Sequence, residues 1–315
     1  MAGNSTGQYD GHDYQLYKYS PSVPAAVVFT LIFAILAVLH TYYLFKNKGW
    51  YWIPFTLGVI FEAIGYAGRI AGHYYPYSLA WYILQAVFIL IGPTVFAASI
   101  YMTLSRIAIA LHSEELLIIR PKWLTIIFVC GDLLSLNTQS GGAGLLAKDD
   151  PKTVDIGQKI VTGGLLIQIL FFGAFILVTL LFHRRLHASP AHHADLARGR
   201  KYLYVMYAAN TFILVRSIFR VAEYVMPHDG PLLSTEVYLY IFDATLMTLT
   251  VVVYLIVKPY GELFDEWKRR KDLGDLELSR RDRSGHAYTA STDIELEAGS
   301  DRSLREPPRK PDDRI

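Results

Sequence analysis

The chain has 315 residues, 52% hydrophobic and 14% aromatic, with a mean hydropathy of +0.27 and a formal net charge of +2. That is too apolar for a soluble domain of this size, and the apolar residues fall in blocks of membrane-spanning length. The small charge leaves no nucleic-acid footprint, and the single cysteine, Cys130, excludes a disulfide framework and a cysteine-based metal site.

Residues 1–23 are polar and rich in tyrosine, with no basic run leading into a short apolar core. No cleaved signal peptide is expected, and the first span serves as the targeting signal. Asn4-Ser5-Thr6 is a glycosylation sequon, usable if this end lies outside. Seven blocks then meet the length of about 20 residues that a helix needs to cross a bilayer: approximately 24–45, 52–71, 79–104, 123–145, 159–182, 202–226 and 236–257. Two-residue alternation of the outer-membrane barrel type is absent. The expected fold is therefore all-α, a polytopic membrane protein of seven transmembrane helices. Cys130, inside the fourth block, reads as a buried small apolar residue.

Loop charges set the orientation. The loops after spans one, three and five hold Lys46, Lys48, Arg106, Arg120, Lys122, Arg184, Arg185, Arg198, Arg200 and Lys201; those after spans two, four and six hold only Lys148, Lys152 and Lys159. The positive-inside rule places the N-terminus outside and the C-terminus in the cytosol. Residues 24–257 form the transmembrane domain. Residues 258–271, with Leu263, Phe264 and Trp267 beside Lys268, Arg269, Arg270 and Lys271, read as a juxtamembrane amphipathic basic segment. Residues 272–315 are too polar to bury a core and read as a disordered cytosolic tail, a place for cytosolic regulators.

The sixth span holds Arg216, Arg220 and Glu223 at i, i+4 and i+7, one face of a helix. A charge near the bilayer centre costs at least roughly 2.5 kcal/mol on insertion scales, so these residues need partners or a function. Other spans offer Glu62, Arg69, Asp132 and Asp243 as ionisable groups, and Gln85, Asn137, Gln139 and Gln168 as amides. We read the set as a shared polar chamber in the outer half of the bundle that binds a ligand, because buried ion pairs stabilise poorly compared with apolar packing. Gly92-Pro93 and the Gly141-Gly142-Ala143-Gly144 run predict broken or kinked helices lining it.

Several stretches together carry a resemblance. They are Glu62-x-x-Gly65-Tyr66-x-x-Arg69, Gly92-Pro93 to Tyr101, Asp132 with Gln139-x-x-Gly142-x-Gly144, and Gly163-Gly164-x-x-x-Gln168. Arg216-x-x-x-Arg220-x-x-Glu223-Tyr224 and Glu236-x-x-x-Tyr240-x-x-Asp243 complete the pattern, which covers roughly residues 20–260. The chain resembles the fungal lipid-translocating exporter family, a seven-span family associated with aminosterol resistance and release of sphingoid long-chain bases. The resemblance implies a plasma-membrane transporter of amphiphilic lipids that confers stress resistance, or, in another branch, porphyrin and haem traffic. It carries over no catalytic residues.

The residue chemistry suits a long-chain base. Glu62 or Asp243 would take its amine and the amides its hydroxyls, while Arg216 and Arg220 would suit a phosphate or carboxylate. No GxxxxGK[ST] loop occurs, so movement is expected to run downhill or with protons rather than on ATP. A seven-helix lipid-sensing receptor or stress regulator is the alternative, although no mid-membrane lysine stands in span seven for a retinal Schiff base. An enzyme is not expected. His183 and His187 have the i, i+4 spacing of a metal pair but sit among arginines without a third ligand, so neither a metal nor a cofactor is expected.

Overall fold

The computed structural model describes residues 22–75, 78–146, 150–189, 193–226 and 236–257, together with residues 269, 272, 273 and 276. The chain divides into Met1–Phe264 and Asp265–Ile315. The helices and the site all lie in the first unit. Residues 1–21 with the Asn4 sequon, and nearly all of 258–315 with the amphipathic segment and tail, lie outside the described residues.

The described residues are mostly helical, joined by short turns, with no strand among them. In chain order the helices are α1 Val23–Lys46, α2 Ile53–Tyr74, α3 Leu79–Ala110, α4 Pro121–Leu146, α5 Pro151–Ala188, α6 His193–Val225 and α7 Glu236–Val257. Six of them are long and apolar enough to cross a membrane. The seventh, α4, has 26 residues but is more polar, because it carries Asp132, Asn137, Thr138, Gln139 and Ser140. Its length suffices for a bilayer core of about 30 Å.

Several helices outrun the apolar blocks. At 38 residues, α5 is about 57 Å long, well beyond that core, so Lys152, Lys159, Arg184 and Arg185 ride on helix rather than loop. Arg106 is likewise inside α3, its guanidinium 4.0 Å from the Tyr51 ring centroid. Proline opens α2, α4 and α5 in the first turn, where its missing N–H costs nothing. Asp150 caps α5: the Thr153 hydroxyl and backbone N–H donate to its carboxylate at 2.6 and 3.1 Å. Those bonds, the hydroxyl's first, hold the Asp150 carboxyl below its ordinary range.

Successive helices pack as neighbours, α1 closes against α7, and α3 reaches α6 across the bundle. Lipid is as apolar as a leucine side chain, so close backbone approach and buried polar contacts hold such a bundle together. A Cβ on Gly58, Gly65 or Gly68 of α2 would stand 2.6–2.7 Å from Phe96, Ile89 or Leu84 of α3. The α4–α5 seam repeats this: a Cβ on Gly142 would be 2.7 Å from Val161, and one on Gly164 2.7 Å from Gln139. Outward, α1 presents Val28, Leu31, Ile35 and Val38. Toward the α1–α2 turn, Trp52, Phe55, Phe96 and Tyr254 close the interior with ring centroids 4.6–5.1 Å apart.

Three expectations are corrected here. Cys130 is exposed, because the adjacent Gly131 is what packs on Phe171 and a one-residue step turns the side chain off that face. Neither Pro93 nor the α4 glycines interrupt their helices. The irregular segment is in α7, where Tyr240–Thr245 forms a π-helical turn.

Candidate functional site

The periodicity of α6 brings Arg216, Arg220 and Glu223 to one face, as their spacing predicts, and α7 supplies their partner. Arg216 Nε donates to Asp243 Oδ1, and Arg220 Nη2 to Asp243 Oδ2. Arg220 Nη1 also donates to Glu223 Oε2 at 3.0 Å. Asp243 is fully buried and holds both guanidinium groups, one on each oxygen. It sits in the π-helical turn, where Thr245 Oγ1 donates to the Tyr240 carbonyl five residues back at 2.9 Å. Such single turns insert a residue into a helix and re-aim the side chains around it.

Pro93 acts on the same cluster through α3. An N–H at position 93 would bond the carbonyl of residue 89, and proline has none. Arg216 Nη2 donates to that Ile89 carbonyl at 2.9 Å. Gly65 lets Ile89 come this close, since a Cβ there would stand 2.6 Å from Ile89 Cγ1. The proline thus frees an acceptor inside the bundle, and an arginine from another helix takes it.

Glu62 lies beside this cluster without joining it. Its side chain is fully buried on α2, and neither carboxylate oxygen has a hydrogen-bond partner. It packs on Gly92, where a Cβ would stand 2.7 Å from Oε1, and lies within electrostatic range of Asp243, Arg216 and Arg220. The two arginines are already engaged by Asp243 and Glu223, so Glu62 is the surplus carboxyl. Burying an uncompensated carboxylate costs several kcal/mol, so the position favours a cationic partner. One turn along α2 the Tyr66 hydroxyl is also buried without a partner, its ring stacked 5.6 Å from Phe33.

A second ion pair stands at the end of the bundle where α2 finishes and α7 starts. Arg69 Nη2 and Nε donate to Glu236 Oε1 at 2.7 and 3.0 Å. The Tyr240 hydroxyl joins them at 3.2 Å, and the Ser22 backbone N–H donates to Glu236 Oε2 at 2.8 Å. Glu236 is not singled out by the sequence pattern of intramembrane charges, because it stands at the edge of its apolar block. Its position four residues before Tyr240 was the available signal.

The other candidates are held elsewhere, so the single shared chamber is corrected to separate clusters. Asp132 Oδ2 accepts from Tyr101 at 2.9 Å among Phe128, Phe172 and Phe175, and its Oδ1 has no partner. Gln139 donates to Gln168 at 3.1 Å and to Ser135 at 2.7 Å, and Ser135 in turn donates to the Gly164 carbonyl at 2.7 Å, joining α4 to α5. Gln85 is buried against Gly68, its amide oxygen without a partner. Asn137 is exposed, pointing away from all of these. His183 Nδ1 lies 3.0 Å from the Tyr207 hydroxyl, and among the described residues no group of three acidic, histidine or cysteine side chains is placed to hold a metal.

Comparison with known proteins decides the family. A family profile described as RTA1 like protein matches residues 55–266. The chain belongs to the RTA1-like family. It is 35% identical to Protein RTA1 of Saccharomyces cerevisiae over 277 residues, which covers 80% of this chain and 87% of that protein. It is 29% identical to the same organism's Protoporphyrin uptake protein 1, over 83% of this chain and 98% of that protein. It is 26% identical to Sphingoid long-chain base transporter RSB1, also from Saccharomyces cerevisiae, over 82% of this chain and 75% of that protein. No solved structure matches the chain. Membership in this family, with helices of spanning length, makes it a multi-pass membrane protein.

Proposed function

We propose that this RTA1-like protein binds and translocates single-chain cationic amphiphiles of the sphingoid-base type, with Glu62 as the residue that takes the amine. The carrying observation is the Glu62 carboxyl, fully buried and without a hydrogen-bond partner, beside arginines already engaged by other carboxylates. Of the two carboxylates that could serve an amine, Asp243 is taken on both oxygens, which leaves Glu62. An ammonium ion supplies donors and one positive charge, which is what that carboxyl lacks. A relative named as a sphingoid long-chain base transporter supports the substrate class.

The likeness to a protein named for protoporphyrin uptake supports a second reading. Porphyrin carboxylates would need a free cationic group, and Arg216 and Arg220 already hold Asp243 and Glu223. The charge pattern therefore favours an amine over a carboxylate ligand. The reading includes an external N-terminus and a cytosolic C-terminus, from the distribution of basic residues, and a plasma-membrane location, which the family resemblance implies. It puts Arg69–Glu236 at the outer end. The segments 258–271 and 272–315 belong to the same proposal as an inner-leaflet anchor and a regulated tail.

The test is sphinganine binding and movement in liposomes holding only the purified protein, with protoporphyrin as competitor. Glu62→Gln, with unchanged thermal stability, is expected to weaken sphinganine binding at least tenfold, as loss of a buried charge pair of about 1.4 kcal/mol or more requires. Binding unchanged in that variant overturns the assignment. Binding without movement makes the protein a sensor, and displacement of sphinganine by protoporphyrin moves the reading to the porphyrin branch.

A further inference from the structure

A groove of about 350 Å3 opens on the flank of the bundle between the first turns of α5 and the last turn of α6. That is within the range of roughly 300–1,000 Å3 typical of small-molecule sites. Its rim carries both charges, Asp155 and Lys159, paired at 2.7 Å, and its apolar side is Leu166 and Val225, both exposed. Gly163 forms part of its surface, and a Cβ there would meet nothing within 4 Å.

Tyr224 also lines the groove. Gln158 Nε2 donates to its backbone carbonyl at 2.6 Å, tying α5 to α6 at that point. The same tyrosine lies within electrostatic range of Arg220 and Glu223. Next to Tyr224, Glu223 pairs with Arg220, Arg220 with Asp243 and Asp243 with Arg216, and Glu62 lies within electrostatic range of the last three. Tyr224 thus adjoins both the open surface groove and the buried charge cluster beside which the unpartnered Glu62 carboxyl lies.

We propose that this α5–α6 groove is the lateral portal through which the head group of a single-chain amine-bearing amphiphile reaches the interior, with Tyr224 as the side chain adjoining both. The occupant follows from the lining. An ion pair as exposed as Asp155–Lys159 contributes little to stability, so Asp155 is available to an incoming ammonium. The exposed Leu166 and Val225 border lipid, which lets the tail stay there while the head enters. The inference rests on the substrate class proposed above, but it concerns different residues and a rate rather than an equilibrium.

The experiment uses the full chain in liposomes with a sphingosine carrying a diazirine next to its head group and an alkyne on its tail. After illumination, cross-linked peptides are expected to map to residues 155–166 and 224–225. Gly163→Phe adds bulk to the groove at a position whose Cβ would meet nothing within 4 Å, and Leu166→Trp narrows it from its apolar side. Both are expected to abolish groove labelling and slow movement of the base at least roughly tenfold, with equilibrium binding in detergent unchanged. Labelling elsewhere, or wild-type movement and labelling in both filled variants, overturns the portal. Groove labelling that survives Glu62→Gln, with binding also unchanged in that variant, sinks the Glu62 assignment and leaves the portal standing. A wild type that moves no base leaves the labelling map to decide.

Discussion

Asp243→Asn is the substitution whose cost the structure specifies best. The side chain keeps its shape and loses its charge, and both Arg216 and Arg220 are then left without the carboxylate they share. Arg220 retains Glu223, while Arg216, 2% exposed, retains only the Ile89 carbonyl. Breaking a buried ion pair by removing one partner costs about 3–5 kcal/mol. At roughly 2–4 °C of Tm per kcal/mol for a domain of this size, the midpoint should fall by roughly 6–20 °C. Arg216→Met should cost distinctly less, because Asp243 keeps Arg220, and Asp243→Leu with Arg216→Met should recover part of the loss, since an apolar replacement of a buried pair is often neutral. The assay is thermal unfolding of the detergent-purified protein, followed by tryptophan fluorescence. If Asp243→Asn proves as stable as Arg216→Met, one carboxylate does not serve two arginines and the reasoning fails.

Other outcomes follow from the same geometry. Gly142→Val should cost at least about 1–3 kcal/mol by overpacking against Val161 and the Gly157 carbonyl, whereas Gly141→Val, with nothing within 4 Å of its Cβ, should change Tm little. Equal Tm values would show that the α4–α5 seam is not packed this closely. Pro93→Ala restores a donor to the Ile89 carbonyl that Arg216 uses, so a double-mutant cycle of Pro93→Ala with Arg216→Met should show a coupling of about 0.5–3 kcal/mol, and strict additivity would refute the link. Reversing the Arg69–Glu236 pair to Arg69→Glu with Glu236→Arg should restore stability lost in either single variant. Failure to restore would assign those losses to packing. The Asp150 carboxyl, held below its ordinary pKa by Thr153, contributes stability to the start of α5 above the unfolded value of 3.8 and loses it as pH falls through the folded value. Protection of the Thr153 and Val154 amides from hydrogen exchange, relative to their intrinsic rates at each pH, should fall on that acid side, and Asp150→Ala should remove the dependence.

The sequence by itself determined what depends on neighbours along the chain. Apolar blocks of spanning length gave the long helices α1–α7 among the described residues. The i, i+4, i+7 spacing gave the shared face of Arg216, Arg220 and Glu223. The same local signals misjudged helix ends, because α5 and α6 continue as helix beyond the apolar stretch on polar residues. Only the tertiary structure decided which charges meet. Asp243 comes to Arg216 and Arg220, Glu236 to Arg69, and Asp132 to Tyr101, across sequence separations of 27, 23, 167 and 31 residues. Periodicity says which way a side chain points about its own helix axis, but not which helix stands opposite. The packing of α2 on α3 through Gly65 and Gly92, and the π-helical turn around Asp243, settle that, and they leave Glu62 as the carboxyl without a partner.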